Sequence, residues 1–290
     1  MQKVFFIWVI LIFSSCAENP KEAQEPLLIK DSIQRIDTIS TGEIDFDFRE
    51  YRYLKNSKDS LLQREDDRQV LEDLVIPKSY LKIEKFYMLS FKYPLLNEKI
   101  NSQYTNFNSY LLNSFLNVKE IEAELENCDT SAFGKYPEIR RIDYKIYNAN
   151  EKFMSVLFYK ENFYSKTPLP VYRFETLNYD LKNSEFMNYN DLFLPNSEEI
   201  LREILNEILV QKINSGEIYY DCWEISEEDF EDYKNNFVLI DSSIEYYFDD
   251  CIICPSYTGI FSIKIPLEKL NFILNELAVN RISSDLEYQE

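Results

Sequence analysis

Two stretches of helical periodicity, each standing between groups of strand-like runs, constrain the fold of this chain most. Leu96, Ile100, Tyr104, Phe107, Leu111 and Phe115 recur at intervals of four, four, three, four and four, which places them on one helical face. Val118, Ile121 and Leu125 extend that face. In the second stretch Ile200, Ile204 and Ile208 join Leu201, Leu205 and Leu209 in a wide apolar stripe; it begins behind Asn196, with Glu199 at capping-box spacing. Ahead of the first helix, Leu81 to Phe91 is β-like and ends at Tyr93-Pro94. Between the helices, Arg141 to Tyr147, Phe153 to Tyr159 and Val171 to Leu181 read as strands, the first two joined by an Asn148–Glu151 hairpin turn. Beyond them come a short acidic helix from Ser226 to Asn235, strands at Phe237 to Ile240, Ile244 to Phe248 and Gly259 to Ile265, and a helix from Pro266 to about Leu277. Strands and helices do not alternate regularly, so an α+β fold with a mainly antiparallel sheet is expected.

The N-terminus carries a different kind of signal. Met1-Gln2-Lys3 precedes the apolar run Val4 to Phe13, and Ser14-Ser15-Cys16 closes it. A positive n-region, an apolar core of about ten residues and small residues at the end describe a secretory signal over residues 1–15. The run falls short of the roughly 20 residues that a membrane span needs. Cys16 resembles a lipobox cysteine, which implies a lipid-anchored protein of the bacterial cell envelope, attached to the outer membrane and facing the periplasm or the surface. Residues 16–40, polar and carrying Pro20 and Pro26, read as a flexible tether. Residues 41–79 form a highly charged extension with a possible helix over Ser60 to Leu74. The folded part is expected over 80–182 and 183–280, with a tail at 281–290.

Charge narrows the range of partners. Removing residues 1–15 takes away only Lys3 and moves the formal charge from −20 to −21. Nucleic acid, which needs a basic face, is excluded as a partner, whereas a cationic macromolecule is attracted. Between Glu217 and Asp250 there are twelve acidic residues against one basic, Lys234, interleaved with aromatics. Two readings follow: a solvated acidic surface whose aromatics point inward, or a docking surface for a cationic partner built on Tyr219, Tyr220, Trp223, Glu227, Glu228 and Asp229. Four cysteines remain after Cys16, namely Cys128, Cys222, Cys251 and Cys254, an even number that suggests disulfides in an exported chain. Cys251 and Cys254 lie in a strand-like run, where positions three apart face opposite sides, so they are not expected to bond each other: either one pairs with Cys222 or Cys128, or both are buried thiols.

Catalysis has little to draw on. The chain has no histidine, which removes serine–histidine and cysteine–histidine machinery and histidine metal sites. Its four glycines, Gly42, Gly134, Gly216 and Gly259, are too far apart for a phosphate loop. Ser79-x-x-Lys82 matches the spacing of a serine–lysine dyad, but its companion motifs are missing. No cofactor and no metal are expected.

Several segments, in order, resemble an extracytoplasmic domain family. Tyr93-Pro94, Asn97 and Ile100-Asn101 correspond to the end of a strand and the opening of a helix. Met154–Phe158 corresponds to a central strand, and Thr176–Lys182 with Asn190-Asp191-Leu192-Phe193 to the entry of the second helix. Phe237–Leu239, Tyr246–Phe248, Ile253–Gly259 and Ile265-Pro266-Leu267 correspond to a C-terminal signature. This family is found in RsiV-like lysozyme-sensing anti-sigma factors and in the non-catalytic part of PdaC-type peptidoglycan deacetylases. The resemblance implies a non-enzymatic, two-part binding domain whose partner is a cationic protein such as lysozyme. The alternatives are a glycan-acting enzyme or accessory using carboxylates, and a structural envelope lipoprotein.

Overall fold

A computed structural model describes residues 69–70, 73–127, 137–164, 170–218, 222–249, 251–255 and 261–275. Its frame is a seven-stranded sheet of β1 (Gln69–Val70), β2 (Val75–Ile83), β3 (Tyr87–Leu96), β4 (Glu138–Ala149), β5 (Phe153–Phe163), β6 (Val171–Asp180) and β7 (Glu185–Phe186). The order is β2-β3-β4-β5-β6-β7, with β1 beside the far end of β4. Only the β3–β4 and β1–β4 pairings are parallel. Between β3 and β4 run a helical segment with α1 (Thr105–Tyr110) at its centre and then α2 (Val118–Asn127). The chain continues through α3 (Tyr189–Leu192), α4 (Glu198–Asn214) and α5 (Glu227–Tyr233) into a three-stranded antiparallel sheet of β8 (Phe237–Ile240), β9 (Ser243–Phe248) and β10 (Phe261–Pro266). The architecture is α+β.

Three apolar layers hold these elements together. On one face of the large sheet, Leu89, Phe91, Ile146, Val156 and Phe158 pack with Phe107, Leu111 and Leu125 of the first helices. The opposite face buries Tyr147, Leu157, Tyr159, Tyr172 and Phe174 against Val238 and Tyr247 of the small sheet. Behind the small sheet, Leu201, Leu205 and Leu209 of α4 cover Phe237, Leu239, Ile244, Tyr246, Ile263 and Ile265. The small sheet is therefore covered on both faces, which explains why its strands read as unbroken apolar runs rather than as alternations. Each fully buried leucine in the α4 stripe contributes roughly 1.5–3 kcal/mol.

Hydrogen-bond parity explains two prolines inside paired strands. The Glu84 N–H donates to the Tyr87 carbonyl at 2.9 Å, and β2 and β3 then pair without a register shift. Bonded and non-bonded pairs alternate in an antiparallel ladder, so Pro77, opposite Pro94, falls at a non-bonded position. Neither proline removes a ladder bond. Val75, Pro77, Ser79, Leu81 and Ile83 turn their backbone groups to the outer edge of β2.

Several expected boundaries move. The single strand expected at Leu81 to Phe91 is the turn of a hairpin, so the expected domain start at residue 80 falls within β2. The first helical segment opens as a 3-10 turn at Ser102–Tyr104, capped by the Asn101 side chain, which accepts from Gln103 N. Leu96 instead ends β3 and Ile100 is exposed, so the first two positions of the helical pattern belong elsewhere. The segment closes as a π-helical turn at Leu111–Phe115, and Asn117, with φ of 43°, separates it from α2. Asn196 does not cap α4: it has φ of 65°, and Ser197 holds the N-cap position. The helix expected after Pro266 is only a 3-10 turn at Leu267–Lys269, after which Leu274 bridges to Phe193.

Candidate functional site

The acidic segment divides into a buried half and a presented half. Phe230, Phe237, Tyr246, Tyr247 and Phe248 are buried, so most of its aromatics serve the core. Trp223 differs, being 46% exposed. Its backbone N–H donates to the Ile253 carbonyl at 2.9 Å and its indole Nε1 to the Ile252 carbonyl at 2.7 Å. With the indole N–H thus occupied, the exposed surface of the ring is apolar.

Clamps on both sides fix this residue. Upstream, Cys222 is disulfide-bonded to Cys254. Downstream, Ile225 N donates to Asn206 Oδ1 at 2.8 Å and its carbonyl accepts from Asn206 Nδ2 at 3.1 Å, so one amide of α4 imitates a neighbouring strand. Arg202 Nη1 also reaches the Ile225 carbonyl, at 3.3 Å. Ser226 then caps α5 in a reciprocal box with Asp229. Trp223 and the exposed Glu224 thus sit on a short segment held at each end, followed directly by the exposed Glu227 and Glu228.

The cysteine run departs from expectation. Residues 251–254 form a turn and bend rather than a strand, and Cys251 has φ of 65°. Cys254 pairs with Cys222, and Cys251 is an exposed thiol. The local apolar composition suggested a strand, but the chain must turn here to bring Cys254 beside Cys222. Cys16, Cys128, Tyr219 and Tyr220 lie outside the described residues.

A half-buried carboxylate sits just before that turn. Asp249 Oδ1 accepts from Phe174 N of β6 at 2.7 Å. Burial raises its pKa above the usual carboxylate value; the Phe174 N–H, the Tyr233 hydroxyl and the charge of Arg173 oppose that rise. Burial also pushes the Tyr233 hydroxyl well up, and the neighbouring Asp249 adds to the effect.

Among the described residues, the serine–lysine spacing does not form a dyad. Ser79 and Lys82 point to opposite faces of β2, and the Lys82 ammonium is engaged by Glu126 at 2.8 Å and Glu122 at 3.3 Å. In the acidic run, Asp229 is occupied in capping and Glu231 pairs with Lys234 at 2.5 Å. Among the described residues, no group of three or more Cys, Asp or Glu is arranged to hold a metal ion. Sequence reasoning named Trp223 but missed Asn206 and Asp249. An asparagine within a helical stripe and an aspartate within an acidic run gave no sign of partners 19 and 75 residues away.

Comparison with known proteins places the fold. No curated protein matches the chain. A crystal structure of a DUF3298 family member from Bacteroides fragilis NCTC 9343 is 18% identical, covers 70% of this chain and 94% of its own, and has a TM-score of 0.47. One of a DUF3298 family protein from Pseudomonas aeruginosa PAO1 is 12% identical, with 72% of this chain and 96% of that chain covered and a TM-score of 0.53, and it shares the fold. Residues 190–268 match the family model described as protein of unknown function (DUF3298), and this range spans Asn190–Phe193 through Ile265–Leu267, the C-terminal segments that carry the resemblance in the sequence. Over residues 190–268 the chain is therefore similar to the DUF3298 family domain of unknown function.

Proposed function

We propose that this protein is a lipid-anchored, non-enzymatic binding module of the bacterial cell envelope that recognises a cationic protein such as lysozyme. The observation that carries this reading is the clamped presentation of Trp223. Binding a partner usually costs free energy to order side chains and loops. Here the disulfide on one side and the Asn206 clamp on the other have already imposed that order. An apolar ring face beside Glu224, Glu227 and Glu228 has the composition of an interface centre, an aromatic anchor with charges around it. The formal charge of −20 steers a cationic partner toward the molecule.

Calorimetry of the mature protein with lysozyme, at low and at moderate salt, tests the proposal. Binding is expected at low salt, weaker at moderate salt, and reduced at least tenfold by Trp223→Ala. No heat at low salt, or binding indifferent to Trp223, would count against it.

A further inference from the structure

The two long edges of the large sheet are treated differently, and the outer edge of β2 is open. Among the described residues no strand pairs with it. The parity established by Glu84 N and Tyr87 O turns the amides of Ser79, Leu81 and Ile83 and the carbonyl of Pro77 toward that edge. Its two faces differ in character. Leu81, 60% exposed, and Ile83 lie on one side, and the exposed Lys78 on the other with Lys82. A matching strand would carry apolar residues on the first face and carboxylates on the second.

We propose that residues 43–48 of this same chain add to the outer edge of β2 as a further strand. The segment reads Glu43-Ile44-Asp45-Phe46-Asp47-Phe48, a period-two alternation with apolar residues on one face and acids on the other. Ile44, Phe46 and Phe48 then lie beside Leu81 and Ile83, and Asp45 and Asp47 beside Lys78. Main-chain bonds to a sheet edge supply affinity and the alternating side chains supply register, the general logic of strand addition. The connection is long enough. Residues 49–68 separate the segment from β1, which lies next to β4 with β3 and β2 beyond. About 3.3 Å per extended residue gives these residues a reach of roughly 65 Å, against strand spacings of about 4.8 Å. A second copy of β2 fits less well, since Pro77 cannot donate across such a pair and lysines would face each other.

Hydrogen exchange resolved by residue in the full mature protein tests this directly. The outward amides of Ser79, Leu81 and Ile83 are expected to exchange slowly. They should exchange at least tenfold faster in a Phe46→Pro, Phe48→Pro double variant, while the Leu239 amide, which donates to Ser155 on the far side of the sheet, keeps its rate. Charge reversal by Asp45→Lys with Asp47→Lys, which leaves the main chain able to pair, should give a smaller acceleration at the same amides. Fast exchange in the unmodified protein overturns the proposal. So does protection that the proline variant leaves intact, and so does protection that grows with protein concentration, the mark of a second copy.

Discussion

The two edges of the large sheet solve one problem in opposite ways. At β6, side chains close the edge. Asn236 Oδ1 accepts from Thr176 N at 2.9 Å, while its Nδ2 donates to the carbonyls of Phe174 at 2.8 Å and Tyr247 at 2.9 Å. Asp249 takes the Phe174 N–H, and Asn178 Nδ2 donates to the Phe237 carbonyl at 2.8 Å. Ser155 continues the seam inward, donating to Asn178 Oδ1 at 2.6 Å and accepting from Leu239 N at 2.8 Å. The same bonds that satisfy the strand edge also bind the small sheet to the large one. Among the described residues, β2 carries a proline and two lysines at its edge, which restrict what can pair there and leave the outward backbone groups to another strand. The comparison separates closing an edge from guarding it: the first contributes to stability, the second to selectivity.

The largest expected effect tests whether the sewn side depends on the turn that follows Asp249. Replacing both Cys222 and Cys254 by serine opens a loop with a sequence separation of 32 and should cost about 3–4 kcal/mol in denaturant unfolding. A cost below about 1 kcal/mol would mean that the polar seam holds the small sheet unaided. Next comes Asn236→Ala, which strands three backbone groups and should lower stability by about 2–3 kcal/mol. Ser79→Ala on the guarded edge should stay within about 0.5 kcal/mol. Equal losses at the two positions would erase the distinction between the edges.

A smaller effect appears in the pH profile. The folded protein holds the Asp249 proton more tightly than the unfolded chain does, because burial raises that pKa. Stability contributed through this group is therefore fully present below the ordinary carboxylate range. It is lost as pH rises from there to the raised folded value, and is level above it. Asp249→Asn keeps an acceptor for Phe174 N and removes the titration. The variant should lose that downward slope while matching or exceeding the parent's stability at neutral pH, as followed by thermal unfolding between pH 3 and 7. An unchanged slope would mean that Asp249 is ionised without cost where it sits.

How much of this was legible in the sequence depended on the range of the cause. Strands β4, β5, β6, β8 and β9 could be read because apolar periodicity and their neighbouring turns are local. The short acidic helix α5 could be read for the same reason. Leu96 and Ile100 misled because they continue a helical spacing by coincidence, while Asn101 sets the true start. The polar seam was invisible: Asn236 meets Thr176 across 60 residues and Asn178 meets Phe237 across 59. An asparagine that imitates a strand is spelled like one in a turn. Trp223 stood out by its isolation among acids, yet its rigidity came from Asn206 and Cys254, which only the fold brings beside it.

The facing pair Pro77 and Pro94 bears on how the first hairpin finds its alignment. Slide β2 against β3 by one residue and one of the two prolines must turn into the ladder, where it has no N–H to give. Every single-step slip therefore forfeits a bond that the native alignment keeps. A strand pair that carries lysine and serine as well as apolar side chains has weak hydrophobic grounds for choosing its register. The prolines supply a steric and hydrogen-bonding criterion instead, so the hairpin can discard misaligned pairings before any core exists to judge them.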